Sequence, residues 1–385
     1  MIIRRNKTKE IKIGNIKIGK GNPIAIQSMA KVATKNYREA IAQIRNLENV
    51  GCSIVRVAVR DEEDALAIAQ IKSAIRIPIV ADIHFNWKLA ICAIEAGADK
   101  IRLNPGNIYK RQEIKEVVKA ALDYSIPIRV GLNSGSIPKT FRYNQNLSPA
   151  LRLVSAALDY VKILEGLKFT DIVISLKCSN VLDTIEAYQK ISGKCDYPLH
   201  LGLTATGFSE AGKIKSAIAL GILLSQGIGD TIRVSLTDEP EEEVKIARYI
   251  LSALNLGNFG PEIISCPACG RTEVDIEKIV NELQIKISDI SAKGACLPAV
   301  GQGSAPGGKY PRLRRGRQGS SKPLKLAIMG CVVNGPGEAE DADLAIAFGK
   351  KEGLLYKNSK PLRKVLSAQA VDELIKEWRK LCPKT

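Results

Sequence analysis

The chain has 385 residues, 45% of them hydrophobic, with 57 Lys and Arg against 40 Asp and Glu and a formal charge of +17. That length points to two domains with a sizeable core, no apolar run is long enough to span a membrane, and the charged start Met1–Glu10 lacks the apolar segment of a secretory signal, so a cytoplasmic location is expected. Nine cysteines without a signal argue for metal or redox use rather than disulfides. The excess charge is dispersed, as in Lys7, Lys9, Lys12, Lys17 and Lys20, and reads as a solvated face. Without a recognition-helix or RNP pattern, nucleic acid is not the expected partner.

Taken in order, short apolar runs alternate with amphipathic stretches. Strands are expected at Ile24–Met29, Ser53–Val59, Pro78–Phe85, Lys100–Pro105, Pro127–Asn133, Asp171–Lys177, Leu199–Thr204 and Thr231–Thr237. Helices are expected at Asn36–Val50, Glu62–Ile75, Trp87–Ala96, Ile108–Tyr124, Ser148–Leu167, Val181–Ser192, Gly212–Gln226 and Glu239–Leu254. Near-continuous Val, Ile and Leu runs suit strands buried on both faces. Eight β–α units in about 250 residues is the arithmetic of a TIM (β/α)8 barrel. A doubly wound open sheet would want a Gly-rich phosphate turn after the first strand, and Gln27-Ser-Met-Ala30 is not one.

Barrel active sites lie at the C-terminal ends of the strands. Those ends carry Gln27 and Ser28, Arg56, Asp82 and His84, Arg102 and Asn104, Arg129 and Asn133, Ser175 and Lys177, His200 and Thr204, and Arg233 and Ser235. Arginine at a similar place on four strands is hard to explain by packing, because a buried unpaired charge is costly. Guanidinium forks match phosphate oxygens, so a small substrate with more than one phosphate is expected. The structural alternative pairs each Arg with Asp82, Glu95 or Asp99. Two strand histidines alone do not make a zinc site.

After Leu256–Pro261 the pattern changes, giving expected domains of residues 1–257 and 258–385. A strand at Ile263–Ser265 is expected to deliver Cys266 and Cys269 to the start of a helix at Glu273–Leu283, where a helix N-terminus favours thiolate. A strand at Leu324–Met329 delivers Cys331, a hairpin follows at Leu344–Phe348 and Leu354–Tyr356, and Val371–Leu381 is a closing helix. The whole is a small α/β domain. Three thiolates with the nearby carboxylate of Glu338 suit an iron–sulfur cluster with one replaceable corner. Zinc on the same four residues is the alternative. The second Cys pair of a zinc ribbon and the three closely spaced cysteines of radical-generating enzymes are both missing from the sequence. Cys52, Cys92, Cys178 and Cys195 read as structural thiols, and Cys296 and Cys382 are not expected to be ligands. Residues 291–321, Gly-rich and then basic through Arg312–Arg317, read as a flexible insert, with docking of an acidic electron carrier or of nucleic acid as the alternatives.

Several stretches together resemble the bacterial 4-hydroxy-3-methylbut-2-enyl diphosphate synthase family of the non-mevalonate isoprenoid pathway. They are Gln27–Met29, Val55–Val57, Val80–Phe85, Arg102–Asn107, Arg129–Asn133, His200–Thr204, Gly229–Leu236, Cys266–Cys269 and Gly330–Glu338, in order over nearly the whole chain. The resemblance implies reductive ring opening and dehydroxylation of 2-C-methyl-D-erythritol 2,4-cyclodiphosphate. It implies a [4Fe-4S] cluster on Cys266, Cys269, Cys331 and Glu338, with flavodoxin or ferredoxin as electron donor. It gives Arg56, Arg102, Arg129, Lys177 and Arg233 the diphosphate, and His84, Asn104, Asn133 and Ser235 its orientation. It also implies a homodimer in which one chain's cluster domain closes over the other's barrel. The chain departs from the family pattern at Thr204-Ala-Thr-Gly207, where the family reads Thr-Glu-Ala-Gly, and at Ala30-Lys31, usually Thr-Asn. Ala205 removes a carboxylate expected to face the site, so the catalytic acid is unassigned. A protein that binds cluster or diphosphate with impaired catalysis is the alternative function.

Overall fold

A computed structural model describes residues 3–142, 144, 146–292, 324–333, 337 and 339–381. The chain forms two compact units, Met1–Leu256 and Gly257–Thr385.

The first unit opens with a hairpin of β1 (Ile11–Ile13) and β2 (Ile16–Ile18), paired antiparallel. Gly14 takes φ +54° at the first loop position, where a type II′ turn favours glycine. The alternation Ile-Lys-Ile on both strands puts its isoleucines on one face. Ile11, Ile13 and Ile18 pack on Ala25, Ile54, Val80 and Val173, residues at or near the N-terminal ends of four barrel strands. The hairpin therefore plugs the end of the barrel opposite the strand C-termini.

Eight parallel strands follow: β3 (Ala25–Met29), β4 (Ile54–Val59), β5 (Ile79–Ile83), β6 (Lys100–Leu103), β7 (Ile128–Asn133), β8 (Ile172–Lys177), β9 (His200–Leu201) and β10 (Thr231–Ile232). Their order is β8-β7-β6-β5-β4-β3-β10-β9. A parallel bridge between Ile174 and Leu199 joins the two edges and closes the ring. Tyr188 spans the same seam, accepting from Leu176 N at 3.0 Å and donating to His200 O at 2.6 Å. Strands seven and eight of the barrel are shorter than expected from sequence. Their continuations pair irregularly, through Arg233 N to Leu201 O and a bridge between Phe208 and Thr237.

The helices are α1 (Tyr37–Asn49), α2 (Glu62–Ala74), α3 (Trp87–Glu95), α4 (Arg111–Asp123), the short α5 (Lys139–Arg142), α6 (Pro149–Gly166), α7 (Val181–Ser192), α8 (Ser209–Ser225) and α9 (Pro240–Ala253). Asp61, Asn86, Ser148 and Asn180 cap α2, α3, α6 and α7 by accepting from backbone N–H groups of the first turn. Such caps fix where each strand hands over to its helix, and so fix the loops at the barrel mouth.

The second unit is a five-stranded sheet in the order β11 (Glu262–Ser265), β12 (Lys325–Met329), β13 (Leu344–Phe348), β14 (Glu352–Lys357) and β15 (Lys360–Leu366). The first three strands are parallel and the rest antiparallel. Alternation sorts the two faces. Leu326, Ile328, Leu344, Ile346 and Phe348 meet α10 (Ile276–Ala292) and α11 (Ala370–Leu381), while Ala327, Met329, Ala345 and Ala347 pack on Ala339 and Ala342.

One expectation is corrected here. The helix after the cysteine pair starts at Ile276, not Glu273, so neither Cys266 nor Cys269 sits at its first turn. Ala268 takes φ +49°, which a right-handed helix cannot contain, and Asp275 accepts from Lys278 N at 3.0 Å at the real start.

Candidate active site

Inside the barrel several of the inward-pointing side chains are charged. Asp82 on β5 is 4% exposed and is the meeting point. Arg102 Nη1 donates to its Oδ1 at 3.1 Å, while Arg56 Nε and His84 Nε2 each lie 3.7 Å from Oδ2. Burial alone would raise this carboxyl, but Arg56, His84, Arg102 and Arg129 hold it well below the usual carboxylate range. Arg102 Nη2 also donates to Gly131 O at 2.8 Å. Gly131 leaves the space for it, since a Cβ there would fall 2.5 Å from Arg102 Nε. Arg56 is further steadied by Met29, whose sulfur lies 3.1 Å from Nε and 2.9 Å from Nη2.

Arg129 and Lys177 are different. Both are buried, and Arg129 Nε and Nη1 and Lys177 Nζ have no hydrogen-bond partner among the described residues. Burial, then the neighbouring cations, pushes both groups well below their ordinary values. The slot for Lys177 exists because residue 202 is glycine, whose Cβ would fall 2.8 Å from Nζ. Arg233 is held by Glu243, Nε at 3.2 Å and Nη2 at 3.1 Å. Asn104 donates to Ser136 Oγ at 2.9 Å and accepts from Gly106 N at 3.0 Å. Ser235 takes part through its carbonyl, which accepts from Thr206 Oγ1. Asn133 ends β7, half-buried.

Sequence reasoning named the arginines, Gln27 and His200, but not Lys100 or Glu243. Lys100 is fully buried two residues before Arg102 on the same face, its Nζ without a partner among the described residues. Burial, with Arg129 and Arg56 nearby, lowers its value strongly. Gln27 is also buried, with neither amide atom paired among the described residues. His200 bonds Thr231 Oγ1 through Nδ1 at 2.8 Å and leaves Nε2 unpaired among the described residues. Burial and then Lys177, Arg129 and Lys100 keep it neutral. Glu243 lay outside any strand-end argument because it comes from α9. The ion-pair alternative holds for Arg102 with Asp82, but Asp99 is taken by Lys72 and by Ile79 N.

Six buried or nearly buried cations, Arg56, Lys100, Arg102, Arg129, Lys177 and Arg233, thus share this interior with the carboxylates of Asp82 and Glu243. An electrostatic surplus of that sign, with donors left over, suits a multiply charged anion.

In the second unit, Cys266 directly follows β11 and Cys331 comes two residues after the adjacent parallel strand β12. Cys266 N donates to Ile328 O at 3.2 Å, and Cys266 Sγ accepts from Gly330 N at 3.3 Å. Cys269 is exposed, and the Arg271 N–H and guanidinium lower its thiol from the usual value. Among the described residues no three His, Cys, Asp or Glu side chains are already gathered as a metal site. Glu338, Cys296, Cys382 and most of residues 291–321 lie outside the described residues. Cys52 and Cys178 are buried, each pushed up to about 12 chiefly by burial, as inert core thiols are.

Residues 8–248 match the GcpE TIM-barrel domain, and residues 262–380 match the GcpE protein C-terminal domain. A 4-hydroxy-3-methylbut-2-en-1-yl diphosphate synthase (flavodoxin) of Caldanaerobacter subterraneus is 49% identical over 99% of this chain and 99% of its own. The protein of the same name from Bacillus subtilis is 46% identical over 98% of this chain and 92% of its own. Among solved structures, dihydropteroate synthase from Stenotrophomonas maltophilia aligns with 63% of this chain and 98% of its own at a TM-score of 0.48 and 15% identity, too distant to inform the site.

Proposed function

The chain belongs to the GcpE family, and on that premise we propose that it converts 2-C-methyl-D-erythritol 2,4-cyclodiphosphate to 4-hydroxy-3-methylbut-2-enyl diphosphate. The reaction takes up two electrons and two protons, opens the cyclic diphosphate and releases one oxygen as water. The observation that carries this reading is the set of buried cationic atoms in the barrel that have no partner among the described residues, Lys100 Nζ, Arg102 Nε, Arg129 Nε and Nη1, and Lys177 Nζ. A diphosphate bound there supplies the acceptors these atoms lack, and its charge offsets the burial and mutual repulsion that push Arg129 and Lys177 below their ordinary values.

Arg56 and Arg102 are preset by Asp82, so they receive phosphate oxygens without first losing side-chain freedom. His84 stands 3.7 Å from the same carboxylate, with its side chain 42% exposed, at the outer end of β5. It can meet the sugar portion of the substrate there. Asn104, Asn133 and Ser235 sit at strand ends around it and complete its orientation.

Cys266, Cys269 and Cys331, with Glu338, are the residues that would hold a [4Fe-4S] cluster. The donor set fits: two adjacent parallel strands aim the cysteines from one sheet end, the Gly330 N–H already meets Cys266 sulfur, and Cys269 is biased toward thiolate. When bound, such a cluster would pass on two electrons one at a time from an external donor, and a carboxylate is a more labile ligand to it than a thiolate. Flavodoxin, named for the relatives, is the proposed donor to this chain, and a homodimer is its proposed assembly.

Anaerobic turnover of the cyclic diphosphate by the reconstituted protein with a chemical reductant tests the function. Formation of the allylic diphosphate is the expected result, and an intact cluster with bound but unreacted substrate would overturn it. That second outcome would match a binding protein with impaired catalysis, which one observation favours. Ala205, at φ +50°, carries no carboxylate at the loop after β9. Ala205→Glu is expected to raise turnover about a hundredfold or more, the scale of a positioned acid or base, measured as kcat under the same conditions.

A further inference from the structure

Glu243 is a buried carboxylate that neither the sequence reading nor the family comparison assigns. It is 1% exposed and comes from the first turn of α9, outside the strands that carry the other site residues. Four donors converge on its two oxygens. Arg233 Nε and Ser28 Oγ reach Oε2 at 3.2 and 3.0 Å, and Arg233 Nη2 and Leu236 N reach Oε1, both at 3.1 Å. The pair with Arg233 is bidentate through the Nε/Nη2 edge of the guanidinium. Nη1 lies outside that pairing, on the end-on edge that matches two oxygens of a phosphate.

The neighbours of Arg233 locate it among the other cations. Its charge is the first of those that lower Lys177, and it also acts on Arg56. Repelled by both, an unanchored Arg233 would swing toward solvent, since it sits at the mouth on an irregular continuation of β10. Glu243 cannot follow it, because Ser28 and Leu236 N fix the carboxylate from β3 and from the loop before α9. The result is a rigid fork aimed by a helix residue.

We propose that Glu243 is a positioning residue, which orients Arg233 for one phosphate of the substrate without touching the substrate itself. The proposal rests on the diphosphate reading of the barrel, and its test does not require turnover.

Glu243→Asp keeps the charge but is one methylene shorter, so it cannot hold Arg233 in bidentate fashion and keep Ser28 and Leu236 N. Calorimetric binding of inorganic diphosphate to the full chain should weaken about tenfold, the order of one charge-assisted contact. With active enzyme, KM for the cyclic diphosphate should rise by the same factor and kcat stay within about twofold. In an Arg233→Met background the same Glu243→Asp change should alter binding less than about twofold, because the two residues act as one unit. Glu243→Gln, isosteric but with one acceptor oxygen, serves if the Asp variant does not fold, and should also weaken binding. Unchanged or tighter diphosphate binding in either variant overturns the proposal. So does an equal loss in the Arg233→Met background, which would mark Glu243 as part of the fold alone. If the wild type binds diphosphate with this pattern but fails to turn over the cyclic substrate, the functional reading falls and the positioning role stands.

Discussion

His200 shows how a single buried side chain links site electrostatics to stability. It is fully buried, neutral, and surrounded by Lys177, Arg129, Lys100 and Arg56. Its folded value lies well below the unfolded one of about 6.5, so below that pH the unfolded chain binds a proton that the native chain refuses. Stability from this group is therefore lost as pH falls from about 6.5 toward 5, by at most about 1.4 kcal/mol per pH unit. His200→Gln removes the term. Urea midpoints at pH 7.5 and 5.0 should differ less in the variant than in the wild type, and an equal difference would show that His200 is not the group responsible. Asp82 works in the opposite sense. Its carboxylate is already ionised throughout this range, and it keeps two arginines in place before any anion arrives.

At the scale of elements, the N-terminal hairpin carries weight beyond its six strand residues. It closes the barrel end away from the site by burying Ile11, Ile13 and Ile18 on four strands. Ile13 is 0% exposed, and Ile13→Ala should cost about 2–5 kcal/mol through lost transfer energy and an unfilled cavity. Denaturant unfolding would measure it. A cost below about 1 kcal/mol would mean the hairpin is not integral to the barrel. The alternation Ile11-Lys-Ile-Gly-Asn-Ile-Lys-Ile18 is a hairpin signal in its own right. The lysines drew attention as dispersed charge, and the isoleucines between them went unread. The helix after the cysteine pair shows the same kind of miss: it was expected three residues early, although Asp275, an N-cap residue type, marks its real start.

At the scale of the molecule, the proposed binding and electron-delivery sites fall in separate units, Met1–Leu256 and Gly257–Thr385. Every cation of the barrel site belongs to the first, and every cysteine of the proposed cluster to the second. Cys331→Ser is therefore expected to lose most of the bound iron and the turnover, while inorganic diphosphate still binds to within about twofold. Iron analysis and calorimetry on the same preparation check both halves. Full iron content in the variant would remove Cys331 from the ligand set, and lost diphosphate binding would mean the two functions are not separable.

The sequence by itself determined the periodicity of eight β–α units, the four arginines at strand ends and the spacing of the cysteine clusters. These are local or repeating patterns, and local patterns survive in one dimension. Only the tertiary structure decided which charges meet. Asp82 gathers Arg56, Arg102 and His84 because β4, β5 and β6 are neighbours in register, whereas Arg129 and Lys177 are left with donors unmatched. Glu243 reaches Arg233 from a helix, and Gly131 and Gly202 matter through the side chains they make room for. Such facts depend on contacts between residues far apart in the chain, and no spacing along the chain encodes them. The anion site is legible as a list of residues, but its division into anchored and waiting cations exists only once the barrel has closed.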